Sequence, residues 1–273
     1  RAWKGVVGQH SFGMWPHDMM ARCLCVLALD RFGDYGGASL GRDDDGGDSV
    51  VAPVREMAGQ LLSVLWTMAP ESEQKDCLHV LIRMSSREQW EVRHGALLAL
   101  KYVMVISSSN VLQKVNDTLL NHAAHEILQV AQEGLSDKME DVQSVAAQIL
   151  LSILNETQRN ELQRKELIQK SCVRLWNALG QLRSISSCAV DFVGLFSATI
   201  CTDPSFVYKA IEGNMDHGPC GLGAVVEKLR AFLDFASVTV SLSALKAIGS
   251  IAGPYASMVS ENNSQDAYHH GRH

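Results

Sequence analysis

The chain has 273 residues, 47% of them hydrophobic and 20% charged, with a formal net charge of −6. That leaves ample apolar material for a core, and a balance too acidic for a free-standing binder of the DNA backbone, which needs a basic face. An aromatic share of only 6% favours helices over a β-sandwich or barrel, whose strands draw heavily on Tyr, Phe and Thr.

The chain opens with an irregular stretch, 1–16, that has neither an initiator Met nor a signal-peptide pattern, and it reads as an interior piece of a longer protein. A first amphipathic segment follows at 17–30. It holds Cys23 and Cys25, which fall on different sides of a helix and make a poor metal pair. The seven cysteines include no CxxC pair and read as reduced thiols in a helical core. Next comes the Gly-rich, acidic string GDYGGASLGRDDDGGDS, expected to form a mobile loop over 36–49. Counted from Asp43, the twelfth residue is Val54, so the closing acid of a calcium loop is missing.

From residue 52 onward one pattern returns five times: APVREMAGQLL (52–62), WEVRHGALLAL (90–100), EDVQSVAAQIL (140–150), RSISSCAVDFV (183–193) and VTVSLSALKAI (238–248). A β-branched residue stands at Val54, Val92, Val142, Ile185 and Val240. Four residues on is always Ala: Ala58, Ala96, Ala146, Ala189 and Ala244. Four further on is an aliphatic. Side chains at i, i+4 and i+8 share one helical stripe. The Ala methyl lets a neighbouring helix approach closely, and the branched residues fill the space on either side.

Ahead of each string lies another amphipathic stretch, at 17–30, 73–85, 117–135, 164–180 and 221–235. The spacings between the β-branched positions are 38, 50, 43 and 55 residues, near the roughly 40–47 residues of HEAT and armadillo repeats. The expected fold is therefore all-α, a HEAT-type α-solenoid of about five antiparallel helix pairs over 17–256. The segments between units have room for one helix and a loop, which favours two-helix HEAT units over three-helix armadillo units. An irregular connector, 202–221, accounts for the longest interval, and 257–273 reads as a disordered tail.

Within the ladder, Val54, Val92, Ala96, Val142 and Ala146 are expected to face inward. Arg55 and Arg93 follow their valines, whereas the later units have Gln143, Ser186 and Ser241 there. Arg93 is expected to pair with an acid of an adjacent unit, among Asp137, Glu140 and Asp141. Gly95 permits close backbone contact beside Ala96, at a cost of about 1 kcal/mol in helix propensity. Trp90 opens its helix beside the turn; it either staples that turn to its own unit or offers a ring to a partner, and stapling is the preferred reading.

His122 and His125, three apart beside Glu126, lack a further nearby ligand and read as a surface or packing pair, not zinc ligands. The chain has no GxxxxGK[ST] loop, no GxGxxG, no HExxH and no GxSxG. No metal site, cofactor or small-molecule substrate is expected within these residues, and their chemistry is expected to be recognition. The longest apolar stretches are too short to span a bilayer.

Three strings in order, CLCVLALDRFGDY (23–35), VVAPVRE (50–56) and QWEVRHGALLALKY (89–102), resemble the amino-terminal HEAT array of the TATA-binding-protein-associated Swi/Snf-type ATPases, the modifier-of-transcription family. This chain departs from that family in the long acidic insert between the first two strings, and beyond residue 107 the likeness is architectural. The resemblance implies a nuclear docking arm that holds TATA-binding protein through its inter-helix turns. It reaches DNA only through a motor domain outside these residues, where ATP and Mg²⁺ would bind. The turn residues it singles out are Arg87, Glu88, Gln89, Trp90, Asp137, Lys138, Glu140, Gln181 and Arg183. The alternative is a generic HEAT scaffold, of the phosphatase-regulatory or transport-receptor type, with a different cargo.

If the register is right, Ala96→Leu overpacks the helix–helix seam and costs about 1–3 kcal/mol. An unchanged denaturation curve would break the register.

Overall fold

The computed structural model describes residues 15–31, 34–35, 50–51, 53–108, 117–156, 161–184, 186–202 and 222–252. Its helices are α1 (Trp15–Leu29), α2 (Pro53–Trp66), α3 (Glu71–Met84), α4 (Trp90–Ser108), α5 (Asp117–Gly134), α6 (Glu140–Glu156), α7 (Glu161–Leu179), α8 (Ala189–Thr202) and α9 (Leu222–Arg230). A last helical stretch, α10, covers 238–252. Among the described residues they follow the order of five helix pairs that the ladder predicts. One feature is added to the all-helical plan. Asp34–Tyr35 (β1) and Val50–Val51 (β2) pair antiparallel, Asp34 opposite Val51 and Tyr35 opposite Val50. This pairing ties together the two ends of the acidic 36–49 segment, which itself lies outside the described residues.

The described residues fall into two compact units, one ending at Glu156 and the other following it. In the first unit, α2 packs on α4 and α4 on α6, making one layer. The other layer holds α1, α3 and α5: α1 lies against α2 and α4, α3 against α4 and α5, and α5 against α6. This is the two-layer stacking of a helical repeat array. Local sequence starts the helices. Pro53 occupies the first position of α2, where its missing N–H costs nothing. Glu71 and Glu73 in α3, and Glu140 and Asp141 in α6, sit where the helix dipole favours acids. The link between α2 and α3 is closed by buried Gln74, whose amide donates to the carbonyls of Trp66 and Ala69 at 2.9 and 3.0 Å.

The ladder residues fill the seam as their spacing predicts. Val92, Ala96 and Leu100 are buried, as are Val142, Ala146 and Leu150. Small residues set how closely the helices approach. A Cβ on Gly95 would lie 3.0 Å from the carbonyl oxygen of Leu27, so the end of α1 rests on the backbone of α4. A Cβ on Gly134 would lie 2.7 Å from the Cβ of Ala146; the ladder alanine of the third pair thus packs directly on the end of α5. Gly59 brings α2 to the backbone of α4 at Ala99.

Val54 departs from the expectation. It is 52% exposed, because it sits in the first turn of α2, one residue past Pro53, on a side that neither α1 nor α4 covers. Burial on this helix begins at Arg55 and Ala58.

In the second unit α7 packs on α8, with the rings of Trp176 and Phe196 6.2 Å apart. Lys228 on α9 donates to the carbonyl of Trp176 at 2.6 Å and lies 3.8 Å from the centre of that indole. Val240 and Ala244 are buried on α10 while Ile248 is only half-buried. Helix α8 begins at Ala189; Ile185 of the fourth rung lies outside the described residues. Ala189 and Val193 keep their buried places.

Candidate functional site

The turns between paired helices form the edge on which recognition was predicted, and one position organises them. It is the residue that follows the ladder's β-branched side chain. Arg93 Nη1 donates to the carbonyls of Arg87 and Glu88, at 2.9 and 2.7 Å, closing the α3–α4 turn. Gln143 Nε2 donates to the carbonyl of Asp137 at 2.6 Å, closing the α5–α6 turn. The Ser186 hydroxyl accepts from the Arg183 N–H at 3.2 Å. The Ser241 hydroxyl lies within 3.2–3.4 Å of the carbonyls of Phe232, Leu233, Phe235 and Ser237. The later units, which lack the arginine, therefore keep its local work with shorter polar side chains.

Arg93 also does something those residues cannot. Its Nε and Nη2 donate to Asp137 Oδ2 and Oδ1 at 2.6 and 2.8 Å, a two-pronged bond to the next pair's turn. Of the three acids considered, Asp137 is the partner. Both side chains are largely buried, and the carboxylate raises the already high arginine pKa through its hydrogen bond. Asp137 Oδ1 also accepts from the Met139 N–H at 2.9 Å, at the start of α6. A polar chain thus runs from Glu88 through Arg93 and Asp137 to Gln143, locking two successive turns.

Above this chain lies an open cleft of about 560 Å³, lined by Ser85 and Glu88 from one turn and Glu133, Ser136 and Lys138 from the other, with Leu97 and Val142 at its base. Of the nine turn residues singled out, it gathers Glu88, Asp137 and Lys138. Arg87, Gln89 and Glu140 are exposed on the same edge, outside the lining. Gln181 and Arg183 are exposed on the α7–α8 turn of the second unit.

Trp90 has a defined place. Its ring lies 5.2 Å from the guanidinium carbon of Arg55 and 6.3 Å from the His94 ring. Arg55 is fully buried: Nη1 donates to the carbonyl of Glu91 at 3.2 Å and Nε faces Asp30 Oδ2 at 3.6 Å. The three strings that carry the family resemblance meet here, Asp30 from the first, Arg55 from the second and Trp90 with His94 from the third. The indole covers a buried cation of the preceding pair, whereas the expectation had it staple the turn to its own pair. Sequence spacing could not have joined Asp30 to Arg55, since the acidic insert separates them. Burial pushes the His94 pKa down to about 3, with the nearby charges of Arg55 and Lys101 adding to the effect.

Among the described residues no three His, Cys, Asp or Glu side chains could hold a metal together, and no helix is long and apolar enough to cross a membrane. His125 is exposed; the side chain of His122 lies outside the described residues.

Stacked helix pairs, an alanine-lined seam and a hydrogen-bonded turn edge define an α-solenoid of the HEAT and armadillo class. The family model described as "ECM29, ARM-like repeats" matches residues 51–158. The human TATA-binding protein-associated factor 172 is 34% identical over 186 residues, 68% of this chain and 9% of its own length. The TATA-binding protein-associated factor BTAF1 of Arabidopsis thaliana is 38% identical over 134 residues, 49% of this chain and 6% of its own. The factor mot1 of Aspergillus fumigatus is 29% identical over 242 residues, 86% of this chain and 12% of its own. The chain belongs to the family of TATA-binding protein-associated factors and spans about a tenth of the length of these relatives. A crystal structure of an engineered protein matches with a TM-score of 0.36 and 16% identity, over 86% of this chain and 96% of that one, too loosely to bear on the fold.

Removing the acceptor of the two-pronged bond with Asp137→Ala is expected to cost about 1.5–3 kcal/mol, read from denaturant unfolding. A loss under half a kcal/mol would show that the two turns do not depend on it.

His94 gives a pH dependence. The unfolded chain protonates it near 6.5 and the folded chain only near 3. Between those values protons favour the unfolded state, so this contribution is complete above pH 6.5 and is lost as the pH falls, by up to roughly 1.4 kcal/mol per unit. His94→Leu should flatten that part of the stability profile; an unaltered slope would assign it to other groups.

Proposed function

We propose that this chain is a protein-interaction scaffold, the docking arm of a transcription-regulating Swi/Snf-type ATPase, which binds TATA-binding protein and helps to remove it from DNA. The observation that carries the proposal is the 34% identity to human TATA-binding protein-associated factor 172 over 68% of the chain. On this reading the polypeptide works in the nucleus. ATP and Mg²⁺ act in a motor domain beyond these residues, and contact with DNA is indirect.

The turn edge suits such a role. Glu88, Glu133 and Glu140 present carboxylates there, while Arg93 is already committed to Asp137. With a pI near 5.9, the chain as a whole attracts a basic partner and steers its approach. Recognition falls to Arg87, Glu88, Gln89, Lys138 and Glu140 in the first unit and Gln181 and Arg183 in the second. Trp90, Arg93 and Asp137 hold the backbone from which the side chains of the first unit project. Stacked repeats keep such turns at fixed spacing, as recognition of a rigid partner requires.

The test is a titration of purified TATA-binding protein into this chain at low and at physiological salt. Saturable binding that persists at physiological salt, and that weakens when Glu88 and Glu140 are both changed to Lys, is the expected result. Absence of binding at both salts by this chain and by the longer polypeptide would assign the array to another cargo.

A further inference from the structure

The cleft above the Arg93–Asp137 bond combines an apolar floor with an uneven set of charges. Leu97 and Val142 form its base and Val130 adds to the lining, where Glu88, Glu133 and Lys138 also stand. These three charged residues are exposed. Arg93 and Asp137, which line it too, neutralise each other through their two-pronged bond. Among the described residues neither Glu88 nor Glu133 takes part in an ion pair. Glu133 accepts a hydrogen bond from the amide of Gln129, on its own helix, at 3.0 Å. Set against the ammonium of Lys138, the two carboxylates leave the cleft with one uncompensated negative charge.

The helix ends around it act in the same direction. A helix carries partial positive charge at its N-terminal end and partial negative charge at its C-terminal end. The positive ends beside the cleft are answered within the chain, by Glu91 in the first turn of α4 and by Glu140 and Asp141 in that of α6. The negative end of α5, which reaches the lining at Gly134, has no basic residue in its last turn. The cleft thus calls for a cation, and calls for it over an apolar floor.

That combination selects a kind of ligand. A metal ion would leave the floor unused, and among the described residues no three His, Cys, Asp or Glu side chains could hold one. A long cationic side chain satisfies both features, because its methylene stem lies on apolar surface while its charged head reaches the carboxylates. The open volume of about 560 Å³ admits such a side chain together with the backbone that carries it.

We propose that this cleft receives one lysine or arginine side chain of a basic protein partner. Glu88 and Glu133 hold the charged head, and Leu97, Val130 and Val142 support the stem. Lys138 limits the site to a single cation. The inference rests on the scaffold reading above in taking the occupant to be a protein, and adds the side chain that the α3–α4 and α5–α6 turns select.

The test has two arms, both on the 273-residue chain. In the first, TATA-binding protein, the partner proposed above, is titrated into the parent, into Glu88→Gln/Glu133→Gln and into Lys138→Gln. Loss of the two carboxylates should weaken binding roughly tenfold, and loss of Lys138 should strengthen it. These are exposed positions, so both variants should melt within about two degrees of the parent. Binding that ignores both variants would overturn the proposal and leave the docking arm standing. Opposite signs would overturn it as well, since the cleft would then read an acidic group through Lys138. The second arm decides the matter even where TATA-binding protein does not bind. A blocked peptide with one lysine between glycines, and its norleucine counterpart, are titrated while NMR follows the methyl groups of Leu97, Val130 and Val142. The lysine peptide should shift them saturably and the norleucine peptide should not. Equal responses to the two peptides, or no response at about 50 mM, where even a ~10 mM site is mostly filled, would overturn the proposal.

Discussion

The bond between Arg93 and Asp137 is the interaction on which the order of the turn edge rests. An arginine guanidinium has five donors in a rigid plane. Arg93 spends them on two carbonyls of its own turn and on both oxygens of a carboxylate one pair further along. No shorter side chain can do both. Gln143, Ser186 and Ser241 occupy the same register and secure their own turns. Rigid spacing between the α3–α4 and α5–α6 turns therefore has a specific chemical cause.

Beneath that edge the array is held by shape. Gly134 admits Ala146 at a distance where a methyl group would collide, Gly95 admits the end of α1 where a methyl would be tight, and Gly59 lets α4 come into contact. Branched residues beside them fill the remaining space, so α2, α4 and α6 pack as one layer without a large aromatic core. The exception is the Arg55 cluster, where a fully buried cation meets Asp30, the Trp90 ring and a backbone carbonyl. Burying such a charge is costly unless it is paired. Residues drawn from the three strings that carry the family likeness offset part of that cost, although burial still lowers the Arg55 pKa.

For function, the arrangement separates support from contact. Trp90 and Asp137, both predicted as partner-binding turn residues, are engaged within the fold together with Arg93. Around them Glu88 and Lys138 are exposed. A scaffold built this way can vary its outer residues without disturbing the frame that spaces them.

Much of this was legible in the residues. The Val–Ala–aliphatic ladder determined the helix pairs and the inward face of α4 and α6, because helical periodicity is a local property of the chain. It also narrowed the partner of Arg93 to three acids. It failed at Val54, since periodicity tells which residues share a stripe and not whether a neighbour covers it. Only tertiary structure decided that Asp137 takes the guanidinium, that Asp30 meets Arg55 across the acidic insert, and that Gln143 and Ser241 inherit an arginine's task. Those outcomes depend on distances between segments far apart in the chain, which packing sets and sequence spacing does not encode.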